Sequence, residues 1–445
     1  MILSAWRFRF LLVSVVTAFF VLTLLPPARA ASVQVVCPGG GPGIFPSITA
    51  ALSTLNPNDS NTITVSGTCV ENIFFANFER LVIQSAFGQT ATIRAADPTG
   101  IVLQTFQSTG IFLNNLVIQG GSVGILLNQG SNVVIANCTI QGNSGDGLDM
   151  QMASTLVMEN STIQDNQGTG MDVAVGSNAT MATQPNERIR ILRNGGDGVD
   201  VDGSFFQVNF GVLDVENNAG AAIAQTGGRI LIFGGGVGDG NLFQGNGEGI
   251  DIFQAGSAHF FGRNVIRSNG DVGIQIWGSS ALFDGGGTLP DGSLSATIVQ
   301  NHNTVGINVV RSGELTMLGP HQIQNNGSLG ADPTRRGGIR LNRGSLTLRG
   351  VQISNNTGPG IRADQNTGTS ITDVTVSGNT EEGVLVDRQS VAGFSQPISI
   401  VGNGAASISC DTASLIFGDL TGVTGINCMR IERQVGPPRP GRVLP

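Results

Sequence analysis

The stretch NGGDGVDVDG, Asn194 to Gly203, sets three aspartates within six residues, separated only by glycine and valine. Whether it is an acid cluster or one coil of something repetitive depends on its surroundings, so repeats come first. Aligning GILL, GLDM, GMDV, GVDV, AIAQ, GIDI, GIQI, GINV, GIRL, GIRA, GVLV and SISC brings twelve apolar residues into one column. They are Ile125, Leu148, Met171, Val199, Ile223, Ile250, Ile274, Ile307, Ile339, Ile361, Val384 and Ile408. Seven of the eleven spacings lie between 22 and 24 residues, and the other four are lengthened by insertions.

Five residues before this column stands asparagine in eight units: Asn143, Asn166, Asn194, Asn218, Asn269, Asn356, Asn379 and Asn403. Three residues earlier again comes an apolar residue, Ile140, Ile163 and Ile191 in the first three. Each unit therefore reads as short alternating strands separated by Asn/Gly turns, with no helical period. A unit this short cannot bury a core alone, so the units must stack. Stacked asparagines would satisfy turn backbone along the axis, and the glycine before each apolar residue lets the chain turn where a side chain would clash.

A coil of this length, with an inward Ile/Val/Leu stack and an asparagine at one turn, resembles the right-handed parallel β-helix of the pectate lyase, polygalacturonase and tailspike group. The resemblance spans roughly residues 60 to 425 and implies an all-β solenoid of about 12–13 coils. Coils rising about 4.8 Å each would make a rod on the order of 60 Å long. PSITAALSTL, Pro46 to Leu55, places Ile48, Ala51, Leu52 and Leu55 on one helical face and predicts a short N-terminal capping helix. The expected boundaries are a signal peptide over 1–30, an N-terminal cap over 31–60, the β-helix over 61–428, and a Pro/Arg-rich tail over 429–445.

The signal peptide rests on Arg7 and Arg9, the apolar run FLLVSVVTAFFVLTLL, and Ala28-Arg29-Ala30 as a cleavage site. A membrane anchor is the alternative, but the run is short for a span, and no later segment approaches that length. The chain is thus expected to be secreted, extracellular or in the cell envelope. Removing Arg7, Arg9 and Arg29 takes the formal charge from -8 to -11, because the segment holds no acid. That disfavours nucleic acid and anionic membranes as partners. All 23 basic residues are arginine and there is no tyrosine, so a lysine base or a tyrosine acid is excluded. Among five cysteines, Cys37 is expected to pair with Cys69 and Cys410 with Cys428, leaving Cys138 as a buried thiol.

In Gly-Ile-x-Val-x the Ile and Val point inward and each x outward. The first outward column then carries Asp149, Asp172, Asp200 and Asp251, followed by Gln275, Asn308, Arg340 and Arg362. The second carries Asp202, Phe253 and Trp277. Asp149, Asp172 and Asp200 should stand about 5 Å apart from coil to coil, close enough to shift a pKa or to hold Ca²⁺. With Asp251 they are the catalytic candidates, since paired carboxylates at such spacings also serve glycosidases. Asp202, Phe253, Gln275, Trp277, Asn308, Arg340 and Arg362 are the candidates for holding a sugar chain, the aromatics as a stacking platform.

Set against the resembling enzymes, the signatures are incomplete. Asp197-Gly198-Val199-Asp200 looks like the end of the polygalacturonase Asn-x-Asp-Gly-x-Asp element, but Asn194 is one residue too far away. The next coil, NNAGAAIAQ, has no acid, and His321 lies in GPHQ rather than Gly-His-Gly. His302 replaces a ladder asparagine, and GGGVGDGN, Gly234 to Asn241, resembles a single calcium nonapeptide loop. The expected function is binding of extracellular or cell-surface polysaccharide, with no required cofactor and Ca²⁺ as an option. A divergent polysaccharide lyase or glycoside hydrolase is the first alternative, and a structural surface rod or adhesin the second.

Overall fold

The computed structural model describes residues 30–182, 187–209, 212–234, 240–286, 295–328 and 332–433. The expected signal peptide (save Ala30), the tail beyond 433 and the middle of the GGGVGDGN loop lie outside the described residues.

One coil runs through three strands, for example Ile125–Asn128, Asn132–Ala136 and Thr139–Gln141. Each pairs in parallel with its counterpart one coil on, so Ile125 faces Leu148, Val133 faces Leu156 and Ile140 faces Ile163. The first strands form a 15-stranded sheet, here the first face. The second and third faces join as a 29-stranded sheet, because long strands such as Ser60–Val70 and Val391–Val401 continue round the corner between them. The result is a right-handed parallel β-solenoid of about 14 turns. The twelve aligned units undercount it because the coils starting at Ile73–Ala76 and Leu103–Phe106, and the last short strand Ile426–Asn427, lack the Gly/Asn signature.

Period-2 alternation decides what the core contains. Ile125, Leu127, Ile135 and Ile140 are fully buried, as are their counterparts on the following coils. Each such side chain contributes on the order of 1.5–3 kcal/mol by leaving water. Every corner must also satisfy backbone that the strands leave unpaired. Between the third and first faces this falls to the asparagine ladder: Asn143 Nδ2 donates to Asn166 Oδ1 (2.8 Å), Asn166 to Asn194 (2.9 Å) and Asn194 to Asn218 (2.9 Å). Between the first and second faces stand buried serines, including Ser131, Ser154, Ser177 and Ser204. Asn241, Asn264 and His321 occupy the remaining corner.

The turn at the ladder differs from its sequence reading. The left-handed residue is the one before the asparagine, such as Asp165 (φ 56°), Arg193 (φ 52°) or Asn217 (φ 59°). The glycine before the apolar residue provides room instead. A Cβ on Gly170 would stand 2.6 Å from the Gly198 carbonyl oxygen and 2.5 Å from Ile191 Cγ2.

The capping helix is shorter than its apolar pattern, spanning Ile48–Leu52 behind an N-cap at Ser47. Past Ser53 the chain tightens into i→i−3 bonds from Thr54 and Leu55, which ends the α-helical register. The Glu71 carboxylate accepts from the Ile48 and Thr49 amides at 2.7 and 2.9 Å and ties the helix to the first coils. Ahead of it, strand Ala30–Cys37 pairs in parallel with Ser60–Val70. Cys37–Cys69 and Cys410–Cys428 are both bonded, and Cys138 is free and buried. That thiol sits at a corner rather than in a strand, its Sγ 3.2 Å from the Ala136 oxygen, and burial pushes its pKa up to about 12. No helix among the described residues is long and apolar enough to cross a membrane.

Candidate functional site

Strand pairing on the first face keeps the outward columns in unbroken register. Asp149, Asp172 and Asp200 are paired in succession, then Ala224, Asp251, Gln275, Asn308, Arg340 and Arg362. In the second column Asp202 pairs with Thr226, then Phe253, Trp277, Val310 and Asn342 follow. The face changes character along the rod, from carboxylates through amides to guanidinium groups. Gln275 Oε1 accepts from Asn308 Nδ2 at 2.8 Å, and Asn308 Oδ1 accepts from Arg340 at 3.1 Å. The Nε groups of Arg340 and Arg362 are buried without a partner among the described residues. Asp251 and Arg340 are three coils apart, about 14 Å at one strand spacing per coil.

The half-buried carboxylates resist ionisation. Burial pushes Asp149 up to about 6, opposed by a 2.8 Å bond from Gln151 Nε2. Asp172 is raised to about 7, by burial and then by Asp149 and Asp200 on either side. Asp200 is raised as well, first by burial and then by Asp197 and Asp202. Unfolded aspartate titrates near 3.9, so the folded chain binds more protons than the unfolded one above that pH. The contribution of Asp149 and Asp172 to stability is therefore complete below about pH 4 and is lost as pH rises through about 6 and 7. His302 works in the opposite sense. Burial lowers it to about 4, so its contribution holds above about 6.5 and is lost as pH falls toward 4.

Asp172→Asn isolates the aspartate term, because it removes the charge and keeps the shape. Its melting temperature should exceed that of the wild type at about pH 8, with the gain shrinking toward pH 4. Thermal unfolding across that range checks this, and an equal shift at every pH would refute it.

A pocket of about 300 Å³ opens where the third face turns into the first. Asp197, Glu248, Asp251 and Asp271 surround it, and Ala219, Gly220, Ala221 and Gly247 form its floor. Ala219, Gly220 and Ala221 belong to the coil NNAGAAIAQ, whose small residues leave the space, and Gly247 to the next coil. Asp251 is only 7% exposed, and its Oδ1 has no hydrogen-bond partner. Burial, then a hydrogen bond and charge repulsion from Glu248, push Asp251 well above the usual carboxylate range. Asp197 is raised too, chiefly by burial, while its Oδ1 accepts from the Ala221 amide at 2.6 Å. Of these acids the sequence makes Asp251 a catalytic candidate and Asp197 part of the incomplete polygalacturonase-like element, and nothing in the local pattern distinguishes Glu248 or Asp271.

The aromatic pair does not form the flat double platform expected of adjacent outward rings. Phe253 and Trp277 have centroids 6.1 Å apart at an interplanar angle of 60°, and the Arg311 guanidinium lies 4.0 Å from the indole centroid. Side-chain geometry, which strand register does not specify, tilts the rings. Trp277 nonetheless remains 36% exposed and provides a ledge one ring wide.

Among the described residues, the only three-residue set of metal-binding types with ligand atoms within 4.8 Å of one another is Cys37, Cys69 and Glu71. It holds no ion-binding chemistry, since its cysteines are joined and Glu71 is engaged by the helix. Asp149, Asp172 and Asp200 form a row rather than converging on one centre, so they do not by themselves make a Ca²⁺ cage. His302 stands in the ladder. Its Nδ1 accepts from the Asn269 amide at 3.4 Å, and its Nε2 lies 3.1 Å from the Ile266 oxygen.

The chain matches the family model described as right handed beta helix region over residues 58–236 and 239–416, and it belongs to that family. It is similar to solved structures at the level of fold alone. Pectate lyase Pel9A is 13% identical, with 87% of this chain and 81% of that one covered and a TM-score of 0.33. The catalytic unit of GH87 α-1,3-glucanase from Streptomyces thermodiastaticus strain HF3-3 is 13% identical over 87% of this chain and 65% of its own, with a TM-score of 0.35. Tailspike protein 2 from Escherichia coli O157:H7 bacteriophage CAB120 is 13% identical over 82% and 40%, with a TM-score of 0.29. The chain thus spans less than two thirds of the glucanase and tailspike chains. A search of curated protein sequences finds no match.

Proposed function

We propose that the protein binds polysaccharide along its first face, outside the cytoplasm, and does not cleave it. The observation that carries this reading is the register-locked row of carboxyl, amide and guanidinium groups with Trp277 exposed on the same face. Such a row meets successive sugar hydroxyls at a regular interval, and an indole ledge takes the apolar face of one ring. Affinity electrophoresis through gels containing different glycans tests it. Wild type should be retarded by at least one glycan, and Trp277→Ala should lose about tenfold or more in affinity. Equal mobility of the two proteins on every glycan would remove the ledge from the account. Retardation by none would leave a structural rod or adhesin. Added Ca²⁺ is one arm of this assay, because an acidic glycan could complete a shared coordination shell with the aspartate row.

A specific observation favours a second reading, glycoside hydrolysis. Asp251 and Asp197 line one pocket, and burial with Glu248 beside it raises Asp251 in the direction a general acid needs. Reducing-sugar release that disappears in Asp251→Asn would establish it. Unsaturated products absorbing in the ultraviolet would point to a lyase instead.

A further inference from the structure

We propose that the first face is self-complementary and docks a second copy of this chain, the two rods lying antiparallel. The inference goes beyond glycan binding, because one face cannot hold a partner copy and a sugar chain at once.

The distribution of charge along the face carries it. The first outward column runs Asp149, Asp172, Asp200, Ala224 and Asp251, then Gln275, Asn308, Arg340, Arg362 and Leu385, one residue to each coil. Acids fill one half and guanidinium groups the other. Among the described residues, none of Asp172, Asp200, Arg340 and Arg362 is in a salt bridge. All four are half-buried on their own rod, so part of the cost of desolvating them is already met there.

Two-fold symmetry pairs each residue with a partner reciprocally. With the axis along the rods, every coil would face itself and aspartate would meet aspartate. With the axis across the rods, parallel to the strands, coil order reverses while each column still faces its own kind. Centred between the coils of Asp251 and Gln275, this sets Asp200 opposite Arg340 and Asp172 opposite Arg362, each pair occurring twice. Asp251 then meets Gln275, and in the first column no charge meets its like. Moving the axis onto the coil of Asp251 would oppose that residue to its own copy. In the second column Phe253 faces Trp277, so the aromatic residues of both copies gather at the axis, and Asp202 faces Asn342. The turns bordering the face are short, for example Gly203-Ser204, Gly278-Ser279 and Arg343-Gly344, and Trp277 is 36% exposed. At one strand spacing per coil these strands offer about 500–600 Å² per copy, the low end for a specific interface. The pairing should therefore be weak and salt-sensitive, and a sugar chain could displace it.

The test is sedimentation equilibrium of the full chain without glycan. The wild type should dimerise at about 50 μM in low salt and dissociate as NaCl rises to about 0.5 M. Asp200→Arg and Arg340→Asp should each weaken the dimer about tenfold or more, since each opposes like charges at both contacts. An equal mixture of the two variants should recover the wild-type affinity to within about threefold, because both contacts of the mixed pair again join an arginine to an aspartate. Circular dichroism checks that the variants are folded. Asp172→Arg with Arg362→Asp makes the same cross should either of the first pair fail to fold. A wild type that stays monomeric in low salt, or folded variants that do not recover on mixing, would overturn the inference. Glycan retardation is scored separately, so either reading can fail while the other stands.

Discussion

Asn194→Ala should lower the free energy of unfolding by about 3–5 kcal/mol, near the top of the range for a single substitution. The residue is 2% exposed and engaged on both sides. Its Oδ1 accepts from the Asn166 amide at 3.2 Å and from Asn166 Nδ2 at 2.9 Å. Its Nδ2 donates to Asn218 Oδ1 at 2.9 Å. Alanine would orphan two donors on the coil below and one acceptor's share on the coil above, at about 1–3 kcal/mol for each unsatisfied group. Asn403→Ala should cost less, because Asn403 ends the ladder and is partly exposed, so water can replace its bonds from the Asn379 amide and Nδ2 at 3.1 and 2.9 Å. Urea unfolding followed by circular dichroism measures both. Losses of about 1 kcal/mol or less at both sites would show that water replaces the ladder without penalty.

Phe283→Ala should cost a similar amount, about 3–5 kcal/mol. The ring is fully buried, stacks on Phe260 with centroids 4.6 Å apart, and meets His321 edge-on at 6.4 Å. Its strand, Ser280–Asp284, follows the strand Ile274–Trp277 in the same coil. A cavity there should loosen the coil that presents Trp277. Trp277 and Trp6 are the only tryptophans, so intrinsic fluorescence reports on the ledge once the first thirty residues are left out. Phe283→Leu fills most of the space and should retain most of the stability. Should both variants unfold at the wild-type midpoint, the aromatic stack would not be a source of stability.

The sequence made the architecture legible because its signals are local. Val199 and Val201 alternate with Asp200 and Asp202, and that alternation alone assigned inside and outside. The 23-residue period then placed Asp149 beside Asp172, which the pairing matches. Two ladder asparagines escaped the pattern for a simple reason. Asn246 stands four rather than five residues before Ile250, and Asn326 is separated from Ile339 by an insertion. Both nonetheless accept from the asparagine or histidine on the coil before them, because hydrogen bonds follow space and not spacing.

NNAGAAIAQ shows the opposite limit. Read along the chain, it counted against a site because it holds no acid. In the folded protein its small residues open the pocket that Asp197 and Asp251, two coils apart, face from either side. NGGDGVDVDG divides in the same way. By itself the sequence determined that Val199 and Val201 enter the core, that Asn194 belongs to a repeated turn, and that Asp200 and Asp202 face outward. Only the tertiary structure decided which carboxylates resist ionisation, how Trp277 is tilted, and that Asp197 shares a pocket with Glu248 and Asp251. Those properties depend on desolvation and on groups from other coils, which no stretch of sequence contains.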